Sequence, residues 1–239
     1  MSQPVGGGRP DPVRFARADT ILDAGRELLL RFGYRRFTVD DIARRAGVGK
    51  GTLYLHWRSR EQLIFAVGAR EAVRMLESVI EAMIADQSEI TLSRYQRRFF
   101  VAAMERPVLR AIFTRDTETL DKLVAIPERQ PLQGAKLTAA TEYLSILKRA
   151  GLLRPELELA EIDYPLTTIS YGFFAVEPLL PPDSGLDLAT KADRLAEVVH
   201  RVFEPDLLPE PADYADAVPE VVAVYQRLAE EFRAIAYPS

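Results

Sequence analysis

Apolar residues recur every three or four positions along most of this chain, and no stretch keeps the strict alternation of a half-buried strand. The pattern predicts an all-α protein. From about Arg17 to Phe32, an inner stripe of Ile21, Leu28, Leu29 and Phe32 predicts a first helix, with Gly33 placed to end it. Val39, Ile42, Ala43 and Ala46 then mark a short second helix, with Phe37 and Thr38 ahead of it and Asp41 three residues beyond the threonine as a start signal. Gly47-Val48-Gly49 supplies a tight turn. A third helix is expected from Lys50 to about Trp57, with Leu53 and Trp57 inward. Ser59 followed by Gln62 reads as the next N-cap. A long helix runs from Arg60 to about Ala85 through Leu63, Val67, Leu76, Val79, Ile80, Met83 and Ile84.

The same period continues downstream. Leu92 to Met104 is one helix, and Pro107 opens another carrying Val108, Leu109, Ile112 and Phe113. Asp116 to Val124 is expected as a short helix and residues 126–131 as a loop. Leu132 to Ala150 follows, with Leu137, Ala140, Leu144 and Leu147 inward and Gly151 beyond its end. Two seam-like stripes come next, Leu159, Ile162, Leu166, Ile169, Phe173 and Val176, then Leu188, Ala192, Leu195, Val199 and Val202. Each stripe suits either a second copy of the chain or the subunit's own core. Pro165 is expected to kink or restart the first of these helices. Residues 205–219, acidic and proline-rich, read as a linker to a last helix from about Pro219 to Ile235, with Val221, Tyr225, Leu228, Phe232 and Ile235 on one stripe.

Composition narrows the function. A chain of 239 residues, 48% hydrophobic, can hold a small domain and a larger one. The absence of cysteine removes disulfides, thiolate nucleophiles and sulfur ligands, and suits a reducing cytoplasm, the expected location. No run of about eighteen apolar residues is present to span a bilayer, so no membrane partner is expected. Residues 1–15, with three consecutive glycines, three prolines, Arg9 and Arg14, lack an export signal and are expected to form a disordered basic arm. The net charge of −4 divides into +6 over residues 1–60 and −10 over the remainder. A basic head on an acidic body is what a modular DNA binder shows, although a charged face is usually only a solvated one.

The second and third helices concentrate the candidate chemistry. Two short helices across a three-residue turn fit a duplex, the second entering the major groove with its first residues at base edges. Lys50 and Thr52 are the base-reading candidates, and Gly51 permits close approach. Tyr54 and His56 can donate to phosphates, and Arg60 adds a cation. Each of these residues also has an ordinary reading as a solvated or half-buried surface group.

At these residues the chain resembles the tetracycline-repressor (TetR) family of bacterial transcriptional regulators. The resemblance covers roughly Ala16 to Phe65, through Phe32-Gly33-Tyr34, the T-x-x-x-I-A-x-x-A-G-V of Thr38 to Val48, and the K-G-T-L-Y-x-H-W of Lys50 to Trp57. Gly49 stands where the family usually has serine or a similar cap, Trp57 where it has phenylalanine and Arg60 where it has lysine.

The resemblance implies a three-helix DNA-binding head at 16–60 and an effector-binding and dimerisation body at 61–204, while the acidic linker and extra helix at 205–239 extend past the family's usual nine helices. It implies DNA contacts from Thr38, Lys50, Gly51, Thr52, Tyr54, Leu55, His56 and Arg60, with an operator duplex as partner. It further implies a homodimer that responds to an apolar small-molecule effector, most often as a repressor, with no cofactor or metal. Cavity candidates are Phe99, Phe100, Met104, Tyr143, Leu147, Phe173, Phe174 and Glu177, with Glu142, Thr168 and Tyr171 as further polar groups. Interface candidates are Leu166, Ile169, Phe173, Leu195, Val199 and Val202. Two alternatives stay open, a helical small-molecule binder that reads no DNA, and an enzyme. The enzyme has little to work with, since His56 and His200 are the only histidines and no phosphate-binding loop is found.

Overall fold

The computed structural model describes residues 12–33, 36–114, 129–181 and 185–238. Among these residues there are ten α-helices and no strand: α1 Pro12–Phe32, α2 Val39–Ala46, α3 Lys50–Tyr54, α4 Arg60–Ala85, α5 Leu92–Met104, α6 Pro107–Phe113, α7 Arg129–Arg149, α8 Leu159–Ala175, α9 Leu188–Phe203 and α10 Ala217–Ala236.

Apolar side chains gather into two clusters. One holds Ile21, Leu22, Phe37, Ile42, Leu53 and Trp57 together with Leu63, Ile64 and Val67 from the start of α4. The other runs from Ala69 to Ala236 and fills the body. The change of cluster falls within α4 after Val67, so the head's core takes the first two turns of the long helix in addition to residues up to 60. A single helix therefore belongs to both cores. Among the described residues no helix is long and apolar enough to cross a membrane.

Several boundaries differ from the sequence expectation for local reasons. α1 begins at Pro12, where the fixed φ of proline suits a first turn, so residues 12–15 are helical and not an arm. Residues 1–11, with Arg9, lie outside the described residues, as does the helix expected at 116–124. α3 ends at Tyr54, because the amides of His56 and Trp57 both turn back to Leu53 O, at 3.0 and 2.8 Å, and drop the Trp57 ring into the core. α7 begins at Arg129, inside the expected loop. Pro165 neither ends nor restarts α8, which is one helix to Ala175.

Three residues expected inward face outward: Phe32, Ile84 and Leu137. The inward face of α7 keeps the expected Leu144 and Leu147 and adds Leu132, Ala139, Tyr143 and Ile146. The acidic segment after α9 is no loose linker. Glu204, fully buried, accepts from the Ser93 amide at the start of α5 (2.9 Å) and lies 2.9 Å from His200 Nδ1, while Tyr214 is buried in the core. α10 then packs along α4 and against α7.

Candidate nucleic-acid interface and effector cavity

The head is built around α2, whose ends are closed by hydrogen bonds that its sequence dictates. Asp41 N–H donates to Thr38 Oγ1 at 3.2 Å and Thr38 N–H donates to Asp41 Oδ2 at 2.8 Å, a reciprocal capping box. Thr38 Oγ1 also donates to Asp41 Oδ2 at 2.8 Å, and the bonds that the carboxylate accepts from the Thr38 amide and hydroxyl hold it below its usual pKa. At the other end Gly47 adopts φ 68°, which a side chain would strain, and the Val48 amide returns to Ala43 O at 3.0 Å. The chain thus enters α3 at a defined angle.

On α3 the core takes Leu53 and, just beyond, Trp57, both about 1% exposed. Lys50, Gly51, Tyr54 and Leu55 are exposed and Thr52 is half-buried. Leu55, at 76% exposure, is an apolar group that the head itself leaves uncovered. A side chain at Gly51 would meet nothing of the protein within 4 Å, so no internal packing requires glycine there. The Lys50 ammonium lies 3.0 Å from Asp40 Oδ2, and this contact raises its pKa. Arg44, Arg45 and Arg58 are also exposed around this unit.

Two predicted contacts are more deeply engaged in the head than the sequence suggests. Arg60 donates from Nε to Phe37 O at 3.1 Å, with its guanidinium 4.8 Å from the centre of the Phe37 ring, so it braces the entry to α2. His56 is half-buried beside Trp57, and burial first, then the charges of Arg14 and Arg17, lower its pKa. The ring is therefore neutral at neutral pH and offers one N–H, not a cation.

The body encloses a cavity of about 450 Å³ between α4, α5, α6, α7, α8 and α10. On α4 its wall is made of small residues, Gly68, Ala69 and Ala72. At Gly68 a Cβ would already stand 3.2 Å from Ile112 Cδ1. Phe99, Tyr143 and Phe174 line the cavity as the sequence suggested, and so does Tyr171.

Other cavity candidates do not line it. Phe100 and Leu147 are buried in the surrounding core, Met104 and Phe173 pack against that core, and Glu177 is paired with Lys191 at 2.9 Å. Thr168 bonds the Tyr164 carbonyl and Glu142 pairs with Arg227. The sequence reading missed the wall given by α4 and that given by α10, where Tyr225, Leu228 and Phe232 stand.

The wall is largely uncharged. Burial pushes the Tyr95 phenol up to about 12, partly offset by the Tyr225 hydroxyl beside it, and raises Tyr143 and Tyr225 well above the ordinary value. Tyr143 donates to Ile90 O at 2.9 Å. Charge enters at one stripe of α7, where Arg129, Gln133 and Lys136 are spaced four and three apart and all line the cavity, with Asp163 on α8. Lys136 is exposed at the open edge of the cavity, with Nζ 5.3 Å from the centre of the Phe232 ring.

The interface candidates divide. Leu195 and Val199 are buried within the subunit because α9 lays its apolar stripe on α5, and Leu166 of α8 is buried in the same core. Ile169 and Phe173 pack on the same core. Those stripes face inward, and only Val202 of the six is exposed. The apolar groups that α8 and α9 leave open are Tyr164, Tyr171, Val198 and Val202.

A capped helix, a glycine turn and a short exposed helix on a three-helix core define a helix-turn-helix head, here joined by one continuous helix to an all-helical, cavity-bearing body. The sequence model described as "Bacterial regulatory proteins, tetR family" matches residues 21–67, the helix-turn-helix head and the start of α4. The HTH-type transcriptional regulator AlkX of Mycobacterium tuberculosis is 31% identical over 40% of this chain and 46% of its own length. The matches to curated relatives span less than half of those relatives' lengths.

Solved structures extend the likeness of fold to most of the chain. The fatty acid degradation regulator FadR from Bacillus halodurans superposes with a TM-score of 0.58 at 19% identity, over 80% of this chain and 96% of that one. FadR from Bacillus subtilis in complex with stearoyl-CoA gives 0.56 at 18% identity, over 76% and 96%.

Proposed function

We propose that the protein is a homodimeric, sequence-specific DNA-binding regulator whose affinity for its operator is set by an effector in the body cavity. The observation that carries this reading is the exposure of Lys50, Gly51, Tyr54 and Leu55 on a helix anchored from behind by Leu53 and Trp57. Lys50 and Thr52 read base edges, Tyr54 and Leu55 contact the backbone and groove wall, and Thr38, His56 and Arg60 set the approach to phosphate. Two heads held by the Tyr164, Tyr171, Val198 and Val202 surface of α8 and α9 engage two half-sites. The test is duplex selection from a random pool followed by fluorescence anisotropy. The selected duplex binds at least about a hundredfold more tightly than random duplex at physiological salt, with steep weakening as salt rises. Equal binding to selected and random duplex defeats the reading.

The effector that fits the cavity is an apolar chain with an anionic head. Aromatic and aliphatic groups supply most of the wall, and Arg129 and Lys136, with the Gln133 amide between them, supply a cationic stripe at one side. That a structural relative was solved with stearoyl-CoA agrees with this choice. Dodecanoate is the probe. It binds in calorimetry and weakens operator binding, while Lys136→Gln lowers its affinity about tenfold and leaves dodecanol binding unchanged. Equal loss for the acid and the alcohol removes the anionic head from the proposal.

A further inference from the structure

Helix α10 touches both functional regions of the chain. Tyr225, Leu228 and Phe232, at helical spacing, form part of the cavity wall. Five residues beyond Phe232, Tyr237 reaches the head. Its ring stacks on Phe15 of α1 with centroids 4.1 Å apart, and its hydroxyl donates to Asp19 Oδ1 at 2.6 Å. Arg14, also on α1, donates to Pro238 O at 3.3 Å.

The same carboxylate oxygen has a second donor. Arg70 of α4, 2% exposed, donates from Nη1 to Asp19 Oδ1 at 3.1 Å and from Nη2 to Asp23 Oδ1 at 2.7 Å. Arg70 is flanked on α4 by the cavity residues Ala69 and Ala72. One side chain of the head therefore receives a hydrogen bond from α4 and another from the residue that caps α10, and both helices also wall the cavity. Hydrogen bonds to an ionised acceptor are short and directional, so they hold only over a narrow range of positions. α10 is stiff from Phe232 to its last residue, Ala236, a rise of about 6 Å, and Tyr237 caps it with its amide bonded to Arg233 O at 2.9 Å. Displacement of α10 at the cavity must then move α1 or break the contact.

We infer that α10 is a second transmission arm beside α4, passing the state of the cavity to the first helix of the head through the Tyr237–Asp19–Arg70 node. The inference rests on the reading of the cavity as an effector site and of the head as the DNA reader. It gives the C-terminal helix a regulatory role in place of simple packing.

Two measurements on the full chain test it. The first needs no ligand. Tyr237→Phe keeps the ring on Phe15 and removes the donor to Asp19. Amide hydrogen exchange accelerates about tenfold both in α1 around Asp19 and in the cavity-facing segment 225–232, with α2 and α3 unchanged. Acceleration confined to α1 and residues 236–238 means that the two ends of α10 are uncoupled, and the inference falls.

The second uses dodecanoate and the selected duplex, with Tyr237→Phe and a chain ending at Ala236. Both variants bind dodecanoate within about twofold of the parent, but the weakening of duplex binding that dodecanoate causes shrinks at least about fivefold. Variants that respond to dodecanoate as fully as the parent overturn the arm. A parent chain that binds no dodecanoate defeats the effector class instead, and the exchange result then decides the arm alone.

Discussion

Lys50 and Asp40 form an ion pair across the turn of the head, Nζ to Oδ2 3.0 Å, with both side chains at least half exposed. The lysine assigned to base reading is thus held by a carboxylate one helix back. Exposed pairs of this kind contribute little to stability, so the pair matters for binding and not for folding. Asp40→Asn frees the ammonium and removes a negative charge facing the duplex. It should tighten binding to selected and random duplex alike by about threefold to tenfold at low salt, with an unchanged urea midpoint. Lys50→Ala should lower affinity for the selected duplex about tenfold and relax the preference at one base position. Anisotropy with single-base variants of the duplex separates the two effects, and a uniform loss in Lys50→Ala would move that residue to the backbone.

Thr38 closes α2 through both its amide and its hydroxyl. Thr38→Ala should destabilise the head by about 1 kcal/mol, whereas Thr38→Ser, which keeps the hydroxyl, should cost much less. Trp57 is the chain's only tryptophan and lies in the head core, so its emission in a urea titration reports this region. A Thr38→Ala midpoint equal to that of the parent would show that the cap adds nothing beyond the packing of Ile42.

His56 gives the head a dependence on pH whose sign follows from its lowered pKa. The unfolded chain titrates this ring near the ordinary value of about 6.5. Above that value the ring is neutral in both states and stability does not depend on it. As pH falls below about 6.5 the unfolded chain takes up the proton first, and stability is lost until the folded value is passed. The Trp57-detected urea midpoint should be flat from pH 8 to about 7 and decline toward pH 5. His56→Gln should flatten that decline. An equally steep decline in the variant assigns it to other groups.

Much of the fold and part of the site are legible in the sequence, and the division has physical causes. α2 is announced by Thr38, Asp41 and Gly47, each serving a backbone group within four residues, and such local chemistry does not depend on the rest of the fold. α4 and α5 follow from an unbroken period. The body's inner faces are less readable, because Leu137 and Val199 belong to equally regular stripes and only the neighbouring helices decide which of them is covered. For the same reason the seam at Leu195 is a core stripe, its partner being α5, nearly a hundred residues earlier. The cavity wall on α4 is invisible in a helical pattern, since Gly68 and Ala72 signal the absence of side chain and not its presence. Contacts such as Tyr237 with Asp19, 218 residues apart, leave no trace in local spacing.

The division between covered and open apolar groups also predicts the behaviour of two classes of variant. Leu195 is about 1% exposed, so Leu195→Arg places an unpaired charge in the core and should cost roughly 3 kcal/mol or more, seen as a fall in melting temperature. Tyr164, at 77% exposure, and Val202, at 44%, carry apolar surface that no described residue of the subunit covers fully. The pair Tyr164→Arg with Val202→Arg should leave the circular dichroism spectrum and melting temperature of the dilute protein nearly unchanged. In light scattering it should give monomers where the parent gives dimers. Operator affinity should fall in step, because a monomer loses the benefit of a second head on the same duplex. Monomers that keep full operator affinity would mean that one head suffices, and dimers that survive both charges would place the contact on another face.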